Sequence, residues 1–237
     1  MLRTNKVLSS GLGSLMLAGM ALTAHANTQS FSVTVPPSGT LTVPFTQPFN
    51  LPLFDPSLGT LTGVNIQFSY AMLPVLRVRN TDLTVGDPPE TFTNGTVTAN
   101  IGLTGPDATT TFANAGVNNL SGSVAIGQTL NFPGATVNGS TNTNIAPANF
   151  GTYTGPVGSF GTFNAFANSV SAGGTGGGFN GGGDLFYNGL ADVSGTGTVT
   201  YTYSIPTDTP EPGTWAMMAA GASTGLVALR RRRRNKK

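Results

Sequence analysis

Val64-Asn65-Ile66-Gln67-Phe68-Ser69-Tyr70 places apolar and polar side chains at alternate positions. In an extended chain, successive side chains point to opposite faces, so Val64, Ile66, Phe68 and Tyr70 share a buried side and the amides and hydroxyl share a wet one. The same pattern recurs on either side of this segment. Phe31, Val33 and Val35 alternate with Ser32 and Thr34, and Val199, Tyr201, Tyr203 and Ile205 alternate with Thr200, Thr202 and Ser204. No helical period or fixed-length repeat interrupts residues 31–205. Asn94-Gly95, Asn138-Gly139 and Asn188-Gly189 read as hairpin turns, because a type I′ turn needs positive φ at both central positions. Pro36-Pro37, Pro44, Pro48, Pro52 and Pro88-Pro89 confine their surroundings to edges and loops. The expectation is all-β: an antiparallel β-sandwich over residues 27–207 with long Gly/Asn-rich loops.

The composition excludes much chemistry. Charged residues are 8% of the chain, against about 25% in an average soluble protein. There is no cysteine, and the single histidine, His25, precedes the body. Disulfide scaffolds, thiol catalysis, Cys/His zinc sites and Ser-His or Cys-His nucleophiles are therefore excluded from residues 27–207, and a non-enzymatic protein without a cofactor is expected. The formal charge of +2 hides a strong asymmetry: Arg77 and Arg79 are the only cations between residues 27 and 209, against eight carboxylates, a net −6. An acidic body without a basic stripe does not suit the phosphate backbone, so nucleic acid is not expected as a partner. Thr and Ser replace charge on the wet faces, which keeps β propensity high but leaves sheet edges poorly guarded.

The two ends read as targeting segments. Arg3 and Lys6, the apolar run Val7 to Leu22 and Ala24-His25-Ala26 form a secretory signal peptide over residues 1–26, with cleavage before Asn27; the alternative is a first helix that stays attached to the membrane. At the other end, Thr209-Pro210-Glu211-Pro212-Gly213 precedes an uncharged run, Trp215 to Leu229, and then the cations Arg230, Arg231, Arg232, Arg233, Arg234, Lys236 and Lys237. The prolines flanking Glu211 hold it in an extended, accessible segment. As a helix the run would rise about 22 Å, short of the roughly 30 Å hydrocarbon core. The arginines act as a cytoplasmic stop signal and leave the body outside. A short, weakly apolar span behind a proline-marked segment has the logic of a removable sorting signal, the alternative being a plain single-span anchor.

Pro210-Glu211-Pro212, the apolar stretch and the arginine run together resemble the PEP-CTERM sorting signal over residues 208–237. The resemblance implies an exosortase as partner, transient membrane anchoring, and export to the cell surface or extracellular polysaccharide matrix of a Gram-negative bacterium. In the body, Phe54-Asp55-Pro56-Ser57-Leu58-Gly59-Thr60-Leu61-Thr62-Gly63-Val64 and Gly195-Thr196-Gly197-Thr198-Val199-Thr200-Tyr201-Thr202-Tyr203 resemble the choice-of-anchor E domain. That resemblance implies a cell-surface β-sandwich with no catalytic residues to carry over.

Other candidate sites are weaker. Asp87 and Glu90 could supply a carboxylate pair for glycoside hydrolysis, but Asp87-Pro88-Pro89-Glu90 reads as an exposed turn. Asp184, Asp192 or the Asp55 turn could hold calcium, whereas Gly173 to Gly183, with eight glycines, reads as a flexible loop. Asn94, Asn119 and Asn138 fit the N-glycosylation pattern and read more simply as turns. Arg77 and Arg79 point to one face of a strand, where they either pair with a carboxylate such as Asp82 or grip an anionic sugar. Besides the exosortase, extracellular polysaccharide is the expected partner, bound in one version by loop hydroxyls and amides as in an adhesin.

Overall fold

The computed structural model describes residues 26–82, 87–177 and 185–205. Ten strands follow in order: β1 (Ala26–Val35), β2 (Leu41–Thr42), β3 (Phe45–Pro52), β4 (Thr60–Asn80), β5 (Glu90–Thr104), β6 (Thr110–Val124), β7 (Thr129–Pro133), β8 (Val137–Asn144), β9 (Phe160–Gly177) and β10 (Leu185–Ser204). They form two antiparallel sheets. One runs β1-β10-β4-β7, with β2 also on β10 and β8 also on β4; the other runs β3-β9-β5-β6. This is the expected β-sandwich. The leader, the apolar run 215–229 and the arginines lie outside the described residues, as do Ala24, Pro210, Glu211 and Pro212.

The stretch Val64 to Tyr70 lies in β4, a 21-residue strand that pairs with β10 from Asn80↔Leu185 to Thr60↔Ser204. Val64, Ile66, Phe68, Tyr70 and Met72 face inward and are buried, and from β10 Val193, Val199 and Tyr201 join them. The facing sheet contributes Ala99, Ile101 and Leu103 from β5 and Phe163, Ala165 and Ala167 from β9. A second cluster of Leu76, Val78, Phe92, Val97 and Val124 fills another part of the inter-sheet space. All ten residues of β1 pair with β10, from Ala26↔Ser204 to Val35↔Gly195. The first and last described strands thus close on each other, and His25–Pro206 is one compact unit.

The wet faces satisfy their polar groups with little charge. Ser30 and Thr200 hydroxyls meet at 2.8 Å and Ser32 and Thr198 at 2.8 Å across β1 and β10, and Thr104 meets Thr110 at 3.2 Å. Asn65 donates to the Asn144 side chain at 2.8 Å. Cross-strand pairs of this kind contribute about 0.2–1 kcal/mol each, enough to favour register without ions.

Several loop expectations are overturned. Phe160–Gly177 is a strand, so the first glycines of the 173–183 run extend β9, and only 178–184 lies outside the described residues. The Asn/Gly-rich 140–190 stretch also holds part of β8, a 3-10 segment Pro147–Tyr153 and the start of β10. None of the three Asn-Gly pairs makes a hairpin. Asn94, at φ 54°, sits within β5 where its register with β6 shifts between Phe92 and Gly95. Asn138-Gly139 lies inside β8, opposite Ala71 and Tyr70. Asn188-Gly189 lies inside β10, where a Cβ on Gly189 would run into the Val170 side chain of the other sheet. At this position glycine serves close approach of two sheets, not turning. Ile205 ends 52% exposed, one residue past β10, instead of continuing its buried face.

Candidate functional site

The described part of the terminal signals is the site where they join the body. Ala26 and Asn27 open β1 opposite Ser204 and Tyr203, so the expected cleavage point lies at the outer end of an edge strand, with Ala26 exposed. The chain leaves the body at Ile205, immediately after Ser204. Both ends of the described body therefore meet at a single pair of neighbouring strands, and Pro210 follows Ile205 closely in sequence.

The motif that opens at Phe54 builds a rigid corner. Phe54 is 1% exposed, and its ring packs on Tyr201 at 5.8 Å and Tyr203 at 5.2 Å. Asp55 caps the 3-10 turn Pro56–Leu58 by accepting from the Ser57 amide at 2.9 Å and the Ser57 hydroxyl at 2.6 Å. These bonds, the hydroxyl's first, hold its carboxyl below the usual range. Gly59 follows at φ 143°, and a Cβ there would strike the Ser204 carbonyl oxygen. The Phe54 segment and the end of β10 thus pack directly on each other beside the exit to the tail.

Two further carboxylates are held locally. Asp192 accepts from Thr42 at 2.6 Å. Asp107 occupies the connection between β5 and β6, where its two oxygens accept from the Thr109 amide at 3.1 Å, the Thr109 hydroxyl at 2.6 Å, Asn149 at 2.9 Å and Tyr153 at 2.6 Å. Burial pushes the Asp107 carboxyl up, but these donors outweigh it and the net displacement is downward. Burial, then the hydrogen bond to Asp107, raises the Tyr153 hydroxyl far above its ordinary range. This network joins the β5–β6 connection to the 3-10 segment Pro147–Tyr153, and no local sequence pattern announces it.

Asp87-Pro88-Pro89-Glu90 is not wholly an exposed turn. Glu90 is 5% exposed and opens β5 opposite Val124, whereas Asp87 is half-buried. An aromatic group that sequence reasoning missed lies near it: Phe92 meets Phe132 at 4.8 Å and Tyr187 at 6.0 Å. Burial, then the neighbouring Glu90 charge, raises the Tyr187 hydroxyl. Among the described residues no group of three His, Cys, Asp or Glu side chains is placed to hold a metal ion, and Asp184 lies outside them. Asn94, Asn119 and Asn138 are all exposed, and Asn94 and Asn119 both have positive φ within strands.

Arg77 and Arg79 lie on the outer face of β4, both exposed, as their spacing requires. Among the described residues no ion pair of either guanidinium is seen; both arginines point out over the sheet, and Asp82 lies past the end of β4, where its amide donates to the Asn80 side chain at 2.9 Å. Their cross-strand neighbours are Asn188 and Phe186 of β10, and Asn131 and Thr129 of β7.

No curated protein matches this chain. Residues 208–234 match the family model of the PEP-CTERM protein-sorting motif, which includes Pro210, Glu211, Pro212 and the arginines Arg230 to Arg234. Signals of this family are processed by exosortase, so the chain carries the sorting signal of an exported protein handled at the membrane.

Proposed function

We propose that this chain is a non-enzymatic surface or matrix protein, exported through its leader, paused at the inner membrane and cleaved by an exosortase near Pro210-Glu211-Pro212. The single observation that carries this reading is the matched signal at 208–234 behind a self-closing β-sandwich. Its physical logic is a relay. The leader starts translocation, the short apolar run and arginines halt it, and cleavage upstream of that run frees the cargo. Asp55, Asp107 and Asp192 support a non-catalytic body, since each carboxylate is engaged by donors of its own neighbourhood. The cargo is read as a choice-of-anchor E type domain destined for the exopolysaccharide or biofilm matrix.

The second reading, a carbohydrate-binding adhesin of that matrix, is favoured by hydroxyls, amides and exposed aromatic rings on the outer faces, Phe112 at 60% and Phe186 at 64% exposure. Fractionation of the producing cells tests the sorting claim. The wild-type protein is expected outside the inner membrane, and a Glu211→Ala variant, or the wild type in cells lacking exosortase, is expected to accumulate in it. Equal distribution in all three would overturn the claim.

A further inference from the structure

The outer face of β4, β10 and β7 carries the body's only two cations, and they sit in a setting unlike the rest of its surface. Arg77 and Arg79 are alternate residues of β4, about 7 Å apart along the strand. The register places Phe186 and Thr129 on either side of Arg79, and Asn188 and Asn131 on either side of Arg77. Residues directly opposite across a ladder stand about 4.5–5.5 Å apart. These side chains therefore form two adjoining rows, one with an exposed ring and one with two amides. A hollow of about 220 Å³ is lined by Arg77, Arg79, Thr129, Phe186 and Asn188. Phe186 is 64% exposed, although a strand buries its apolar residues on the other face. Elsewhere the wet faces carry neutral Ser, Thr and Asn pairs, and the other exposed rings, Phe112 and Phe160, have no cation on their strand. Two features, guanidinium groups with no ion pair among the described residues and an exposed aromatic ring, coincide at one place.

We propose that this shelf binds a carboxylate-bearing polysaccharide. Each kind of side chain matches one part of such a chain. The planar guanidinium forks donate paired hydrogen bonds to carboxylates. The Phe186 ring offers an apolar platform for the C–H face of a sugar, and Asn188, Asn131 and Thr129 can exchange hydrogen bonds with its hydroxyls. The hollow is smaller than the roughly 300–1,000 Å³ of enclosed small-molecule pockets, which suits a surface read by successive units of a polymer. In a body of net charge −6, two arginines cannot make a general polyanion trap, so the local sugar contacts supply selectivity. A hollow on the other sheet, lined by Asn164, Phe166 and neutral threonines, lacks any charge and provides the internal comparison. The proposal rests on the matrix reading above and adds to it the site and the acidic class of ligand.

The test uses residues 26–206, a compact unit whose end strands pair with each other, because the tail arginines would themselves attract polyanions. Binding is measured to immobilised alginate, dextran and polyglutamate. The expected result is retention on alginate above both others. The Arg77→Gln/Arg79→Gln variant should bind alginate about tenfold or more weakly, Phe186→Ala should also weaken it, and Phe166→Ala should leave it unchanged, with all variants keeping the wild-type urea midpoint. Unchanged alginate binding by the double-arginine variant, or equal binding of polyglutamate, would overturn the shelf while leaving the matrix reading in place. Absence of binding to alginate would overturn the shelf, and absence of binding to dextran as well would count against both.

Discussion

Asp107 shows how one carboxylate can fasten a connection whose only apolar side chains are Pro106 and Ala108. It accepts from Thr109, Asn149 and Tyr153, and the Tyr153 ring is fully buried against Phe163 at 6.2 Å. Asp107→Ala leaves the Tyr153 hydroxyl without its acceptor, and a loss of about 1–3 kcal/mol is expected in urea unfolding. Because the folded carboxyl titrates below its unfolded value of about 3.9, its contribution is full above that pH and is lost as pH falls through the folded value. The wild type should therefore lose stability more steeply than Asp107→Asn when pH is lowered below about 4. Gly59 makes a second residue-scale prediction. Its φ of 143° and its closeness to the Ser204 carbonyl mean that Gly59→Ala should cost about 1–3 kcal/mol; an unchanged midpoint would contradict this corner's geometry.

At the scale of elements, β1, the Val64–Tyr70 part of β4 and the last third of β10 were legible because side chains alternate there, with Phe31, Val33 and Val35 facing Val199, Gly197 and Gly195. The strands β5 and β9 were not, because bulges reverse the phase of their inward faces. In β9, Phe163, Ala165 and Ala167 point in, the register with β5 then shifts, and Val170 and Ala172 become the next inward pair. In β5 the shift at Asn94-Gly95 moves the inward set from Phe92 to Val97, Ala99 and Ile101. A pattern counted at fixed period two fails across such a shift, and the small Ala and Gly side chains give little hydrophobic signal to restore it. If β9 is core and not loop, Phe163→Ala should cost about 3–5 kcal/mol. A change within about 0.5 kcal/mol, the range of ordinary surface positions, would contradict its placement.

For the whole molecule, function was readable where it is written in linear sequence and unreadable where folding assembles it. The tail signal is a contiguous order of proline-framed Glu211, apolar run and arginines, so 208–234 declares itself without structure. The setting of Arg77 and Arg79 depends on which residues of β10 and β7 come to lie beside them, and register across strands is not encoded locally. The same holds for the corner where Phe54 meets Tyr201 and Tyr203, far apart in the chain. The charge distribution fits a cargo and its label: cations gathered at the ends, an acidic body between them. The most direct measurement is the intact mass of the protein recovered from outside the producing cells. A chain that begins at Asn27 and has lost Arg230 to Arg234 is expected; a mass that retains the sequence through Lys237 would rule out cleavage of the tail.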